Sequence, residues 1–321
     1  MSVSKKIAVI GCGYWGKNLI RNFAELGCLE YVSDENHDLA QKYADDLSIK
    51  ALSFEEVLES NVDGVVLATP AQIHFSMGAK VLESNKHLFI EKPLTIHLDE
   101  ANKLVRSSTE KGLTLMVGHL MLHHPAFLKV KSFCKQGKIG QIKHISSRRL
   151  TFGKIRSYED VLWSFAPHDL SMIHALIESE LENVSSSSAV VDSSSSNFDY
   201  VHSVLSFKNG ASASLDCSWV SPFKEQRITI IGTNGAMVFD DTLPWNQKLS
   251  IYYHDNFKEA WDQNKKTNYE PEYIHVSEDE PLRLECQNFI DSIDDISLCK
   301  SSGLSGELVV SSLSLISDSL K

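Results

Sequence analysis

The chain has 321 residues, enough for one large domain or two smaller ones. It is 42% hydrophobic and 23% charged, as in folded globular proteins. A membrane-spanning helix needs about 18 consecutive apolar residues, and no apolar run in the sequence is that long. A formal net charge of −11 argues against a nucleic-acid-binding protein, and six scattered cysteines without a C-x-x-C pair favour reduced thiols over disulfides or a metal site. With no secretory signal pattern at residues 1–10, we expect a cytoplasmic enzyme with no membrane or nucleic-acid partner.

The first part of the chain alternates short apolar runs with amphipathic segments. Strands are predicted at 6–10, 29–33, 63–69, 87–90 and 113–117, and helices at 14–26, 38–46, 71–83 and 98–111. Ser53 and Glu56 have the spacing of a capping box, which predicts a further helix start. Strands and helices alternating at this spacing predict an α/β domain of the Rossmann type with a parallel sheet.

The turn after the first predicted strand carries a G-x-G-x-x-G motif, formed by Gly11, Gly13 and Gly16. Gly11 permits the tight turn, Gly13 lets the backbone approach a pyrophosphate, and Gly16 allows close packing of helix on strand. The amides of Tyr14 and Trp15 would then face the phosphates from the positive end of the helix. This context predicts a dinucleotide-binding loop, with a glycine-rich turn that binds no nucleotide as the alternative.

An acidic residue, Asp34, follows the second predicted strand eighteen residues after Gly16. A carboxylate at this position accepts a hydrogen bond from the ribose 2′-hydroxyl and repels a 2′-phosphate, which favours NAD over NADP. Asn36 and His37 lie beside it and leave this preference open.

Two later strands also end in candidate site residues. Thr69 and Pro70 follow the strand at 63–69, and His74 is either a further cofactor contact or a residue of the helix surface. Glu91 and Lys92 follow the strand at 87–90. An ammonium there can bond a substrate hydroxyl and stabilise a developing alkoxide, whereas the alternative is a solvated lysine before a proline turn.

Beyond residue 124 the pattern changes to consecutive strands with tight turns. We predict helices at 126–135, near 168–178, 280–293 and 306–320, and strands at 142–152, 182–191, 200–207, 211–219, 226–231 and 236–240. The segment 241–273 is polar and irregular and is predicted to form loop and short strand, and the serine runs at 185–188 and 193–196 are predicted to form a solvent-facing strand and loop. We therefore expect a Rossmann domain at 1–122 and an α+β domain with a large open antiparallel sheet at 123–321, whose last helix is free to pack back on the first domain.

The glycine motif, the triplet Glu91-Lys92-Pro93 and the antiparallel-sheet domain together resemble the Gfo/Idh/MocA family of oxidoreductases over nearly the whole chain. The resemblance implies hydride transfer between a nicotinamide cofactor and a CH–OH group. It further implies that Lys92 is catalytic, that Glu91 helps to form the cofactor pocket, and that the lysine–proline peptide bond is cis.

The family usually carries D-x-x-x-H in the segment corresponding to 161–170, with the histidine as general acid and base. His168 matches that histidine, but Ser164 stands where the aspartate is usual. A serine bonds substrate or cofactor but cannot hold an imidazolium electrostatically, which leaves open whether Asp169 or Lys92 tunes the histidine. Histidine titrates near neutral pH and can therefore accept the hydroxyl proton, while a nearby Lys92 ammonium would lower its pKa.

Within the family, residues 118–126 and 161–170 are closest to a branch that acts on nucleotide sugars, the UDP-N-acetylglucosaminuronate 3-dehydrogenases of bacterial surface-polysaccharide pathways. That resemblance implies substrate contacts from His119, Ser164 and Asp169, and Trp163 either stacks on the nicotinamide or sugar or fills core. Five basic residues crowd one strand and its loop: Lys143, Arg148, Arg149, Lys154 and Arg156. Adjacent strand residues face opposite ways, so we expect only one of Arg148 and Arg149 to face the site. We take Arg149 as the substrate contact and a diphosphate as its partner; a charged edge or oligomer contact is the alternative.

The sequence thus predicts an NAD-dependent dehydrogenase, with NADP as the second choice, that acts at C3 of a nucleotide-linked sugar in surface-polysaccharide precursor synthesis. We expect no metal, and a homodimer or homotetramer formed through the antiparallel sheet. The alternatives are a 3-ketoreductase of a deoxysugar nucleotide, an inositol or free-sugar dehydrogenase, and a dinucleotide-binding sensor without turnover. Ser164 favours the sensor, whereas the presence of both Lys92 and His168 disfavours it.

Overall fold

The computed structural model describes residues 5–153, 155–156, 159–191, 197–253 and 270–321. Lys154 and the serine run at 193–196 lie outside the described residues. The chain divides into two compact units, Met1–His123 with Glu280–Ser311, and His124–Asp279 with Ser312–Lys321. The predicted domains, 1–122 and 123–321, differ from this division mainly because residues 280–311 group with the first unit.

The helices and strands of the described residues follow in chain order. The strands are β1 (Ile7–Ile10), β2 (Leu29–Ser33), β3 (Lys50–Ala51), β4 (Gly64–Leu67), β5 (His87–Glu91), β6 (Leu115–Gly118), β7 (Ile142–Phe152), β8 (Leu181–Ala189), β9 (Tyr200–Phe207), β10 (Ser212–Ser218), β11 (Val220–Gly232), β12 (Gly235–Asp240), β13 (Leu249–Tyr253) and β14 (Glu272–Tyr273). The helices are α1 (Gly16–Glu25), α2 (His37–Leu47), α3 (Phe54–Glu59), α4 (His74–Glu83), α5 (Leu98–Lys111), α6 (Pro125–Lys135), α7 (Val161–Ile177), α8 (Pro281–Asp294) and α9 (Gly303–Ser319).

The first unit is built on a six-stranded parallel sheet of the described residues, in the order β3-β2-β1-β4-β5-β6. Every residue of β1, β4 and β6 is buried, which explains why these strands read as continuous apolar runs. The capping box is confirmed, because the Ser53 side chain accepts from the Glu56 amide and the Glu56 carboxylate accepts from the Ser53 amide. The predicted α/β Rossmann domain is therefore confirmed.

Helix α8 returns from the end of the chain to the core of the first unit. Its Phe289 ring meets the ring of Phe23 edge to face at 6.4 Å and that of Phe89 at 5.7 Å, and all three are fully buried. Gly64 on β4 makes room for this ring, since a Cβ there would lie 3.0 Å from Phe289 atoms. These contacts fix residues 280–294 to the first unit.

The second unit is built on an eight-stranded sheet of the described residues, in the order β14-β13-β12-β11-β7-β10-β9-β8. All neighbouring pairs are antiparallel except β7 with β10, which run parallel. Helix α7 and the β8–β9 hairpin lie between β7 and β10 in sequence, a connection long enough to permit a parallel pair. The predicted α+β domain is confirmed, and the short strand expected within 241–273 is β13 at Leu249–Tyr253; residues 254–269 of that segment lie outside the described residues.

Helix α7 begins at Val161, seven residues before the predicted start near His168. The prediction was wrong because Pro167 reads as a helix breaker, whereas it lies inside this helix. Burial of apolar residues on both sides of the proline outweighs the lost backbone hydrogen bond. The side chain of Asp160 caps the helix, accepting from the amide of Trp163 at 3.0 Å.

We expect Phe289→Ala to lower the free energy of unfolding by about 3–5 kcal/mol, because it removes a fully buried ring and leaves a cavity. Denaturant unfolding measures the change. Leu298→Ala is the control, since that side chain is 48% exposed and its loss should change stability by less than about 0.5 kcal/mol. Equal effects of the two substitutions would contradict the packing of α8 in this core.

Candidate active site

The carboxyl ends of the parallel strands in the first unit carry predicted cofactor residues and one predicted substrate residue, His119. Five of the six strands end directly before or within one residue of such a position, namely Gly11 after β1, Asp34 after β2, Thr69 after β4, Lys92 after β5 and His119 after β6. Since parallel strands point the same way, these positions share one edge of the sheet, where open α/β sheets bind their ligands.

The glycine loop has the backbone geometry that its motif predicts. Gly11 has φ +98°, and a Cβ there would lie 2.6 Å from the carbonyl oxygen of Ala68. A Cβ on Gly16 would lie 1.8 Å from the carbonyl oxygen of Gly11, so helix α1 can approach the turn only with glycine at that position. A Cβ on Gly13, by contrast, would have no atom of the described residues within 4 Å, and the loop backbone is open to an approaching group.

The Asp34 carboxylate is held against this loop by two backbone donors. The amide of Cys12 donates to its Oδ2 at 2.6 Å, and the amide of Asn36 donates to its Oδ1 at 2.8 Å. Each oxygen keeps a second lone pair that can accept from a hydroxyl. Tyr14, in the same loop, is 88% exposed. The loop and Asp34 therefore fit a dinucleotide, with the loop amides available to the pyrophosphate and the carboxylate available to the ribose.

The buried Glu91 carboxylate links the glycine loop to the end of β5. The indole of Trp15 donates to its Oε1 at 2.5 Å, and the amide of Lys92 donates to its Oε2 at 3.3 Å. A Cβ at Gly118 in the neighbouring strand β6 would lie 2.8 Å from Glu91 Oε2, so glycine at this position makes room for the carboxylate. Burial raises the pKa of Glu91 to about 7, against the opposing effects of the Trp15 hydrogen bond and the Lys92 charge.

His74 supports the site from within the first unit. Its ring is 1% exposed and contacts the carbonyl oxygens of Thr69 at 2.8 Å and Pro93 at 2.9 Å. Burial lowers the pKa of His74, and a neutral imidazole has one N–H, which it donates to one of these carbonyls. His74 thus connects the turn at Thr69-Pro70 with the turn at Lys92-Pro93, whose peptide bond is cis, and its contact with the cofactor stays a prediction.

Two buried ionisable residues near Glu91 were missed from the sequence. Glu285 of α8 is fully buried, and its pKa lies well above the ordinary value because of burial and the Glu91 charge. His123, with Nε2 at 3.9 Å from Glu285 Oε1, has its pKa lowered to about 3, mainly by burial. No local sequence signal indicates that Glu285, about 190 residues from Glu91, enters this core. His119 is also buried, and its amide donates to the carbonyl of Val117 at 2.6 Å.

In the second unit, helix α7 carries Ser164 and His168 one turn apart on the same face. Ser164 is buried and His168 is half-buried. Trp163 is half-buried, and its indole donates to the hydroxyl of Ser317 in α9 at 3.2 Å. The helix therefore presents the predicted acid–base residue and the serine together.

Arg149 and Asp169, both predicted to bind substrate, bind each other. Arg149 donates from Nε to Asp169 Oδ2 at 2.6 Å and from Nη2 to Oδ1 at 3.2 Å, and Ser147 donates to the same Oδ1 at 2.7 Å. Burial alone would lower the pKa of Arg149, but attraction and hydrogen bonds from Asp169 raise it above its ordinary value. Arg148 lies on the opposite face as predicted, with Nη1 at 3.0 Å from Glu225.

The predicted site residues thus form two groups. The first unit holds the glycine loop, Asp34, Thr69 with Pro70, His74, Glu91, Lys92 and His119; the second holds Arg149, Trp163, Ser164, His168 and Asp169. Among the described parts of the chain, no three His, Cys, Asp or Glu side chains are placed to hold a metal ion, and no helix is both long and apolar enough to cross a membrane. Sequence reasoning missed Ser147, because a serine in a strand carries no local signal of the residue that it contacts.

Comparisons with known proteins match both parts of the chain. Residues 5–119 match the NAD-binding Rossmann fold of the GFO/IDH/MocA oxidoreductase family, and residues 127–238 match that family's C-terminal domain. The chain is 29% identical over 231 residues to UDP-N-acetylglucosamine 3-dehydrogenase of Acidithiobacillus ferrooxidans, covering 70% of this chain and 71% of that protein. It is 28% identical over 257 residues to scyllo-inositol 2-dehydrogenase (NAD(+)) of Bacillus subtilis, covering 74% of each. A solved structure of the A. ferrooxidans enzyme superimposes with TM-score 0.87 at 24% identity, covering 99% of this chain and 98% of that one.

The raised pKa of Glu91 predicts a pH-dependent stability. Between the ordinary pKa of 4.5 and about 7, the folded chain holds a proton on Glu91 that the unfolded chain has released, so stability falls as pH rises through this window. Glu91→Gln removes this titration. From pH 5 to pH 7.5 we expect the variant to gain on the order of 2 kcal/mol relative to the unmodified protein, as measured by denaturant unfolding at both pH values. Exposed Glu59→Gln is the control, and the same gain in that variant would contradict the assignment.

Proposed function

Because the chain belongs to the Gfo/Idh/MocA family of oxidoreductases, we propose that it oxidises the C3 hydroxyl of a nucleotide-linked sugar with NAD as hydride acceptor. The enzyme class, a dehydrogenase acting on a CH–OH group, follows from the family. The cofactor, the substrate and a role in surface-polysaccharide precursor synthesis are the parts that we propose.

The observation that carries the proposal is the set of residues at the carboxyl edge of the first sheet. The open backbone at Gly13 and the Asp34 carboxylate suit a dinucleotide, and β5, which lies two strands from β1 in the same sheet, leads directly into Lys92. A lysine at that edge places a positive charge near the cofactor-binding loop within the same unit. A catalytic cation and a nucleotide-binding loop on one sheet edge support a hydride-transfer enzyme better than a binding module alone.

The proposed reaction divides the work between two side chains. Lys92 donates a hydrogen bond to the substrate hydroxyl and stabilises the negative charge that develops on that oxygen. His168 accepts the hydroxyl proton and returns it in the reverse direction, since an imidazole is basic enough near neutral pH and readily reprotonated. NAD, held by the loop of Gly11, Gly13 and Gly16 and by Asp34, would supply the hydride acceptor that oxidation of the alcohol to a ketone requires.

The nucleotide-sugar substrate is proposed from the relatives. The A. ferrooxidans relative is a UDP-N-acetylglucosamine 3-dehydrogenase and matches most of both chains. The basic cluster on β7 supports the proposal less than the sequence suggested, because Arg149 is engaged by Asp169 and Arg148 by Glu225. Dehydrogenation of an inositol is the second candidate, favoured by the similarity to a scyllo-inositol 2-dehydrogenase.

We also propose that the chain is a cytoplasmic homo-oligomer. All six cysteines are free thiols, as expected in a reducing compartment. On the face of the second sheet opposite Asp169, Val204 is 40% and Ile231 38% exposed, and a second copy of the chain is the proposed partner for this face.

We expect Val204→Glu to shift the oligomer towards the monomer, because it places a charge in that contact. Sedimentation equilibrium measures the change, and an unmodified protein that sediments as a monomer would contradict the proposal.

Asp34 is expected to make the protein bind NADH more tightly than NADPH, because the 2′-phosphate would meet a carboxylate. Asp34→Ala should narrow the difference between the two dissociation constants. Fluorescence titration of the protein with each reduced cofactor measures both constants. Equal affinities in the unmodified protein would contradict the NAD preference.

Removing either proposed catalytic residue should lower turnover sharply, and cofactor binding should survive the removal of His168. We expect Lys92→Ala and His168→Ala each to lower kcat by at least about 100-fold, and the double variant to fall far short of the product of the two effects. Hydride transfer to NAD is followed by absorbance with UDP-N-acetylglucosamine and scyllo-inositol as substrates, and NADH titration of His168→Ala provides the control for folding. Turnover of inositol alone would favour the second candidate. NADH binding without turnover of either substrate would instead favour a sensor, as Ser164 suggests.

A further inference from the structure

We propose that Ser147, Arg149 and Asp169 form a clamp that positions His168, acting through helix α7 and without touching the substrate. The inference rests on the proposed catalytic role of His168. It reassigns Arg149 and Asp169 from substrate binding to positioning and adds Ser147, which sequence reasoning left out.

The clamp joins one helix residue to two strand residues. Asp169 follows His168 directly in α7, and Ser147 and Arg149 lie two residues apart on the same face of β7. Both carboxylate oxygens of Asp169 accept hydrogen bonds from the Arg149 guanidinium at 2.6 and 3.2 Å, and Oδ1 also accepts from Ser147 at 2.7 Å. Three hydrogen bonds from two points on one strand fix both the rotation of α7 about its axis and its position along the strand.

The strand side of the clamp is rigid. β7 lies in the interior of the eight-stranded sheet, paired with β10 on one side and β11 on the other. Asp169 is 2% exposed, Ser147 is fully buried and Arg149 is 9% exposed, so water does not compete for these hydrogen bonds. A planar guanidinium held at two points permits less movement than a single flexible contact.

The pairing also decides what Asp169 contributes to His168. The negative charge of Asp169 is balanced by the Arg149 guanidinium in a buried ion pair. Asp169 is therefore a weak substitute for the carboxylate that the family usually carries at the position of Ser164. Its effect on His168 is geometric, because a helix residue adjacent to a fixed anchor is itself fixed.

Two neighbouring arginines supply a matched test. Arg149→Lys keeps the buried charge but replaces the two-point contact with a single ammonium. Arg148→Lys makes the same change one residue away on the opposite face of the same strand, where the partners are Glu225 and Asp216. Ser147→Ala removes one hydrogen bond and keeps the ion pair, which provides a milder variant if Arg149→Lys does not fold.

Two readouts are measured on all three variants. The first readout is kcat and KM, measured with whichever of UDP-N-acetylglucosamine and scyllo-inositol the unmodified protein oxidises. The second is the histidine ring ¹⁵N NMR spectrum without substrate, in which the His168 signals are those absent from His168→Gln. Thermal unfolding records the loss of stability in each variant, and NADH titration checks that the first unit is unchanged.

We expect Arg149→Lys to lower kcat at least about tenfold with KM changed less than about twofold, because small displacements of a catalytic group slow the chemical step. The His168 signals should shift or broaden, Ser147→Ala should act in the same direction to a smaller extent, and Arg148→Lys should leave both readouts unchanged. Unchanged His168 signals in Arg149→Lys, or equal changes in Arg148→Lys, would overturn the clamp. If no variant and no unmodified protein turns over substrate, displaced His168 signals in Arg149→Lys alone still support the clamp while the proposed function fails.

Discussion

All strands of the first sheet run in one direction, and the cofactor half of the candidate site depends on that constraint. Parallel strands need a crossover between each pair, so every strand leaves the sheet at the same edge and every following loop begins there. Gly11, Asp34, Thr69 and Lys92 are far apart in sequence and share this edge for that reason. The hydrogen bond from Trp15 to Glu91 then links the loop after β1 to the end of β5.

Each unit also buries ionisable side chains. The free-energy cost of removing them from water is offset in a different way in each unit. In the second unit the Arg149 guanidinium pairs with the Asp169 carboxylate, and the two side chains satisfy each other's hydrogen bonds. In the first unit, Glu285 is buried without a neutralising cation at hydrogen-bonding distance among the described side chains, and its pKa rises instead. The ion pair of Arg149 and Asp169 therefore orients two side chains, whereas burial of Glu285 favours its protonated form.

The family assignment identifies the class of reaction but does not identify the substrate. Related dehydrogenases act on a nucleotide sugar and on an inositol, and both resemble this chain at similar identity. A fold that places a cofactor loop and a lysine on one edge serves either substrate. Ser164 makes this chain different from the usual family pattern, and the buried ion pair at Asp169 shows that the adjacent carboxylate is already engaged.

The sequence by itself determined most of the first unit, because local rules govern it. Apolar runs and helical periodicity marked its strands and helices, and steric limits on the backbone required glycine at 11 and 16. The antiparallel sheet was also predictable from its turns. Tertiary structure alone decided that α7 begins before Pro167, that His74 faces two carbonyls, that Arg149 pairs with Asp169, and that Glu285 returns to the first core. Each of these depends on which buried partner a side chain meets across a long stretch of chain. Hydrophobic periodicity shows that a position is buried but carries no information about the residue packed against it.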